Sequence, residues 1–177
     1  MAKKYVDNAE VPIIAFDFDG TITKDTYNYP ECGELRRNAK EVINFLHDIG
    51  CKIIIWTCRD VEYSERNKVP IRDHIAPMVE FLYNNKIEYD RINESRFAPY
   101  YYYGRKIYAH LYVDDRTFGW TDTEDIMVKV LQHILIDILD MDSNFVINEI
   151  VRPIFSDERP DSNAISRCTK AVKEWKK

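Results

Sequence analysis

Asp17-Phe18-Asp19-Gly20-Thr21 sets two carboxylates two residues apart at the end of an apolar run. Side chains alternate along an extended chain, so Asp17 and Asp19 can point the same way, into one small pocket. Two carboxylates confined together need a cation or a proton to balance them. A second acidic pair, Asp114-Asp115, closes another apolar run, Ile107–Val113. Oxygen donors of this kind suit Mg²⁺, which keeps several waters and leaves room for a substrate phosphate. Thr57 ends a third apolar run and offers a hydroxyl and a backbone amide to a phosphoryl oxygen. Lys106, just before the last run, supplies a cation for the same group. Gly20 lets the backbone turn sharply and bring its amides close to a ligand. A carboxylate nucleophile, an acid/base, a hydroxyl donor, a lysine and metal ligands together describe phosphoryl transfer.

The elements that must position these groups are readable from periodicity. Val11–Asp17 and Cys51–Thr57 are short, apolar and β-branched, as strands buried on both faces of a parallel sheet are. Between them, residues 18–34 read as a loop, and apolar residues recur at helical spacing from Arg36 to Ile49. Gly50 then sits where a C-cap glycine belongs. A polar stretch from Arg59 to Pro70 leads to a helix expected over Ile71–Asn85, followed by a short strand at Ile87–Ile92. Four tyrosines, Tyr100–Tyr103, precede the strand Ile107–Val113. A helix is expected from Glu124 to Leu139 with Asp122 or Thr123 as its N-cap, and a last short helix over 163–175. Alternating strands and helices imply an α/β fold, a three-layer α/β/α sandwich around a Rossmann-like, mainly parallel sheet. In such sheets ligands bind beyond the carboxyl ends of the strands, where Asp17, Thr57 and Asp114 all fall.

A chain of 177 residues fits one domain, here a core over 1–140 with a C-terminal extension over 141–177 that packs on the core or at an interface. Its hydrophobic content of 45% and charged content of 31% exclude disorder and a membrane-spanning protein. The N-terminus lacks an apolar core of signal-peptide length, so a cytoplasmic location is expected. A net charge of −5 argues against a broad nucleic-acid-binding surface, though not against contact with a strand end. The four cysteines form no Cys-x-x-Cys pair and are expected to be free thiols, with Cys58 a packing residue lacking a histidine to activate it. The four histidines show no metal-ligand spacing, and His110, inside a strand, is expected to be structural.

Asp17-Phe-Asp-Gly-Thr-Ile-Thr23, Ile-Ile-Trp-Thr57-Cys-Arg59 and Leu-Tyr-Val-Asp114-Asp115-Arg116 resemble the motifs of the haloacid dehalogenase superfamily of phosphohydrolases. The likeness spans about residues 11–135, and its Tyr29-Pro30 turn resembles the small capless phosphatases of that group. The resemblance implies that Asp17 is the nucleophile, forming an aspartyl-phosphate, and that Asp19 is the general acid/base. It implies that Thr57 binds the phosphoryl group and that Lys106 pairs with Asp17 and the phosphate. It further implies that Mg²⁺ sits on Asp17, the backbone carbonyl of Asp19 and one of Asp114 and Asp115. Phe18, Gly20, Thr21, Cys58 and Arg59 are the neighbouring candidates to line the phosphate and substrate. Lys68, Lys86 and Arg105 are alternatives for the motif lysine.

An arginine just after a strand is, by composition, expected to be solvated, which applies to Arg59; Arg116 is equally suited to a structural ion pair. The loops Gly20–Arg36 and Ile92–Lys106 are too short to hold cores of their own, so no substantial cap is expected and the site should be open. An open site fits a phosphorylated metabolite, a nucleotide or a nucleic-acid end, and a small substrate would call for a homo-oligomer to enclose it. A receiver-like signalling domain also combines acidic groups, a Thr and a Lys, but there the acidic pair ends the first strand and the phosphoacceptor follows a middle one. A non-catalytic phosphate-binding module on the same fold is the other alternative.

Overall fold

The structure is a computed structural model that describes residues 11–25, 28–66, 68–94, 107–117, 119–155 and 162–175. Four parallel strands form its central sheet: β1 (Ile13–Asp17), β2 (Lys52–Trp56), β5 (Arg91–Ile92) and β6 (Leu111–Val113), in the order β5-β2-β1-β6. β1 runs through the middle, and its residues Ile13 to Phe16 are at most 2% exposed, which explains an apolar run without alternation. The order reverses around β1, since β2 lies on one side and β6 on the other. That reversal leaves a crevice at the carboxyl ends of β1 and β6.

Helices α1 (Ala39–Asp48), α2 (Ile75–Asn84) and α3 (Ile126–His133) flank the sheet. α1 turns Ala39, Val42, Ile43, Phe45 and Leu46 onto the face made by Ile14, Phe16, Ile53 and Ile55, where Met78 and Leu82 of α2 join them. The opposite face, with Ile13, Ala15 and Ile54, packs against Ile107, Tyr108 and Tyr112. This is an α/β fold with a parallel sheet flanked by helices, compatible with a Rossmann-like three-layer sandwich.

α1 stops where the sequence places its stop. Gly50 adopts φ +96°, its N–H donates to the His47 carbonyl at 2.9 Å, and Cys51 N–H donates to Leu46 at 3.0 Å. These two bonds form a Schellman motif, and the left-handed conformation they need is free of strain for glycine. α2 ends in the same pattern with Lys86 at φ 55°, so Lys86 closes a helix that runs back toward the amino ends of the strands.

Several elements differ from the sequence expectation, the strands β5 and β6 being shorter than the runs that contain them. The stretch after Arg59 is not only a polar connection: β3 (Val61–Tyr63) and β4 (Pro70–Asp73) pair as an antiparallel hairpin, and α2 starts at Ile75 rather than Ile71. The described residues between 61 and 73 are mostly exposed, so no hydrophobic periodicity marks these strands. The N-cap of α3 is Asp125, with no side-chain cap hydrogen bond, rather than Asp122 or Thr123. Asp122 instead binds Arg36.

After α3 a π-helical turn, Ile134–Ile138, leads to a helical run made of α4 (Ser143–Phe145), a second π segment (Val146–Val151) and α5 (Arg152–Phe155). Asp142 caps this run by accepting from Phe145 N–H at 2.9 Å. The last helix, α6, spans Ser162–Trp175. Val146, Ile150, Ile154, Cys168 and Val172 belong to the same hydrophobic cluster as the sheet, so the described helices beyond residue 141 contribute to the core. No helix among the described residues is long and apolar enough to cross a membrane.

Candidate active site

The strand register fixes which groups meet. Asp17 lies beside Trp56 of β2, and Phe16 lies beside Val113 of β6, so Asp114 follows at the level of Asp17. Beyond β1 the chain folds into a tight loop, Phe18–Ile22, closed by Thr23 N–H donating to the Phe18 carbonyl at 3.0 Å. Gly20 makes the turn at φ +84°, and a Cβ there would stand 2.5 Å from Asp115 Oδ2. The turn therefore needs glycine for its conformation and for the space the carboxylate fills.

Asp17, Asp19, Asp25, Asp114 and Asp115 line one pocket of about 320 Å³, with Tyr29, Cys58 and Arg116 around it. A larger open depression of about 670 Å³ lies beside α6, where Lys170, Lys173, Asp48 and Glu174 line it. It brings together no sequence-marked group. Carboxylate oxygens of Asp17, Asp114 and Asp115 lie within 4.8 Å of one another. Burial pushes the Asp17 carboxyl up to about 7, with the negative charge of Asp114 next in weight and those of Asp115 and Asp19 adding to it. The Asp115 carboxyl is also raised, first by burial and then by Asp25 and Asp114, against the opposing pull of Arg116. Among the described residues, this half of the pocket holds more negative charge than its neighbouring groups balance.

Two buried arginines brace the loops around it. Arg36, 5% exposed, donates from Nε to the Thr21 carbonyl at 2.9 Å and from Nη2 to the Gly20 carbonyl at 2.6 Å. Its Nη1 binds Asp122, and its guanidinium lies 5.6 Å from the centre of the Trp120 ring. The loop that carries Asp19 is thus tied to the segment that follows the acidic pair. Thr21, fully buried, accepts from Asp115 N–H at 2.8 Å and makes the same connection from the other side.

Arg59 is 1% exposed, so it is neither solvated nor open to a substrate phosphate, in contrast to the expectation from composition. It is buried because all its donors find acceptors. Nε and Nη2 bind the two oxygens of Asp19 at 2.8 and 2.7 Å, Nη1 reaches the Pro30 and His74 carbonyls at 2.6 and 3.4 Å, and Nη2 also reaches Glu31 at 3.3 Å. Burial alone pulls its guanidinium down, but the hydrogen bonds and charge of Asp19 outweigh this and raise it.

Thr57 is 7% exposed, and its hydroxyl accepts from Arg59 N–H at 3.1 Å. Its backbone is held by Asn93, whose side chain accepts from Thr57 N–H at 2.9 Å and donates to its carbonyl at 2.8 Å. Phe18 is buried, edge-to-face with Phe81 at 5.6 Å, so only its backbone is near the site. Cys58 is exposed on the pocket wall rather than packed. Lys106, Arg105 and the tyrosines 100–103 lie outside the described residues. Lys68 is exposed in the hairpin.

Asp25, Arg36, Tyr29 and Asn93 are site groups that residue spacing does not single out. Asp25 sits in a polar loop and Arg36 at a helix entrance, where either would read as solvated. In the sequence Tyr29 stands out only through its turn with Pro30. Its ring stacks on His74 at 5.0 Å and lies 5.0 Å from the Arg59 guanidinium.

The fold and pocket define an α/β protein with an acidic crevice at the switch point of a parallel sheet. A solved structure of a conserved protein from Bacteroides thetaiotaomicron is similar, with 25% identity and a TM-score of 0.54. The match covers 73% of this chain and 98% of that one, so nearly all of the neighbour's length has a counterpart here. No protein-family model matches the chain, and comparison with curated proteins finds no relative.

Proposed function

We propose that this chain is a Mg²⁺-dependent phosphomonoesterase of the haloacid dehalogenase type, working through an aspartyl-phosphate on Asp17. The observation that carries this reading is the convergence of Asp17 and Asp19 with Asp114 and Asp115 in one open pocket. Asp17 Oδ attacks phosphorus as the bond to the leaving oxygen breaks, and the Asp19 carboxyl gives that oxygen its proton. Asp19 then takes a proton from the water that attacks the aspartyl-phosphate, which releases phosphate and restores Asp17. Thr57, held by Asn93, offers its hydroxyl proton to a phosphoryl oxygen. Lys106 is the proposed cation for the same group.

The donor set fits a divalent cation: three carboxylates within reach of one point, two of them, Asp17 and Asp115, raised first by burial and then by their negative neighbours. Asp17 and one or both of Asp114 and Asp115 would hold it, with the Asp19 carbonyl. Bound there, it supplies charge that favours ionised Asp17 and offsets the negative charge of the transferring phosphoryl group. The substrate class is a phosphorylated metabolite, a nucleotide or a polynucleotide end, since no element among the described residues closes over the pocket.

Phosphate release from an aryl phosphate, with Mg²⁺ and with chelator, tests the reading on the native chain and on Asp17→Asn. Metal-dependent release that falls at least about 10³-fold in the variant is expected. Equal release by the two chains overturns it.

A further inference from the structure

The role of Asp19 requires its carboxyl to meet the leaving oxygen in one orientation, and nothing in the loop itself provides that. Asp19 has extended dihedrals, φ −77° and ψ 122°, next to a glycine, and its side chain is 32% exposed. What fixes it is Arg59. The planar guanidinium grips both carboxylate oxygens, at 2.8 and 2.7 Å, in the fork geometry that only arginine offers. The fork is itself immobile. Its remaining donors are spent on the carbonyls of Pro30, Glu31 and His74, and its Cζ lies 5.2 Å from the Phe18 ring centre and 5.0 Å from that of Tyr29.

We infer that Arg59 is the positioning residue for Asp19, so that the loop after β2 sets the geometry of proton transfer at the end of β1. This inference rests on the phosphatase reading and deepens it. Arg59 is too buried to touch substrate, so it acts through Asp19 alone. Each carboxylate oxygen spends one lone pair on the fork and keeps the other for the proton it passes. In the first step that proton goes to the leaving oxygen as the P–O bond breaks. In the second it comes from the attacking water.

The test exploits the leaving group. An alkyl phosphate needs its departing oxygen protonated, whereas p-nitrophenyl phosphate leaves without that help. Arg59→Lys keeps the charge but loses the fork. It should lower the rate of leaving-group release in a single turnover, which reports the first step alone, by about 10²-fold for a glycerol phosphate, the lower end of the general-acid range, while changing that for p-nitrophenyl phosphate less than about tenfold. Asp19→Asn should give the same split, and Arg59→Lys added to Asp19→Asn should cost nothing further, because a residue acting through Asp19 has nothing left to position. Far-ultraviolet circular dichroism and thermal melts check that each variant is folded. Should Arg59→Lys not fold at assay temperature, Arg59→Gln replaces it with the same expected split.

Equal losses on both substrates, additive losses in the double variant, or failure of both Arg59 variants to fold would make Arg59 a structural residue and overturn the inference. The phosphatase reading would survive those results, provided the native chain turns over and Asp17→Asn does not. A native chain that releases no phosphate from either substrate removes both.

Discussion

The five aspartates at the carboxyl edge of the sheet are treated in two ways. Asp19 is matched: a buried arginine takes both of its oxygens, and a second buried arginine holds the carbonyls of the next two residues. Asp17, Asp114, Asp115 and Asp25 are left with an excess of negative charge among the described residues, and the carboxyls of Asp17 and Asp115 are raised, first by burial and then by these negative neighbours. The contrast separates construction from chemistry. Buried charge that is paired and fully hydrogen-bonded holds loops in place. Buried charge without a partner is retained at a cost in stability and is available to a cation or a phosphoryl group.

This contrast predicts opposite signs for substitutions in the two halves. Arg36→Met, in the braced half, leaves the Gly20 and Thr21 carbonyls without donors and should destabilise the fold by about 2–4 kcal/mol, measured as a lower urea midpoint. Gly20→Ala stands at the junction. The φ of +84° and the 2.5 Å approach to Asp115 should cost about 1–3 kcal/mol, read from thermal melts, together with a loss of metal-dependent phosphate release.

In the unbraced half the sign reverses, because Asp17→Asn removes a buried acid with no cation beside it among the described residues. The Asp17 carboxyl is raised from 3.8 to about 7 on folding, so the folded state holds the proton more tightly than the unfolded one. Its contribution to stability is then full below the unfolded value and is lost as pH rises toward 7. With chelator present, the native chain should therefore fall behind Asp17→Asn between those two pH values, and the gap should stay constant above them. Discounted for partial exposure, the gap is about 1–2 kcal/mol, a few degrees in Tm. Adding Mg²⁺ at pH 8 should raise the Tm of the native chain more than that of the variant. A native chain at least as stable as Asp17→Asn at pH 8 with chelator would show that the acidic half is balanced after all.

The unbraced half was largely legible in the sequence, and the braced half was not. Asp17 ends a run whose lack of alternation marks a buried parallel strand, Asp114 follows a further run read as a strand of the same sheet, and parallel strands bring their carboxyl ends to one edge. That inference needs only local pattern and one rule of topology. Arg59 to Asp19 is a pairing across 40 residues and Arg36 to Asp122 across 86, and nothing local says that a polar side chain will find acceptors at such distances. Composition favours a solvated arginine, and the structure buries both. The β3–β4 hairpin escaped for a related reason: its exposed strands carry no apolar stripe for periodicity to find. Gly50, by contrast, was readable because a helix stop is a local event.

The central claim is that Asp17 carries the phosphoryl group. Rapid acid quench of the native chain during turnover of an aryl phosphate with Mg²⁺, followed by peptide mass spectrometry, tests it most directly. The account predicts one added phosphoryl group on the peptide containing Asp17, formed and consumed at rates compatible with turnover and absent in Asp17→Asn. Turnover with no phosphorylated peptide, or a phosphoryl group on another residue, would contradict it.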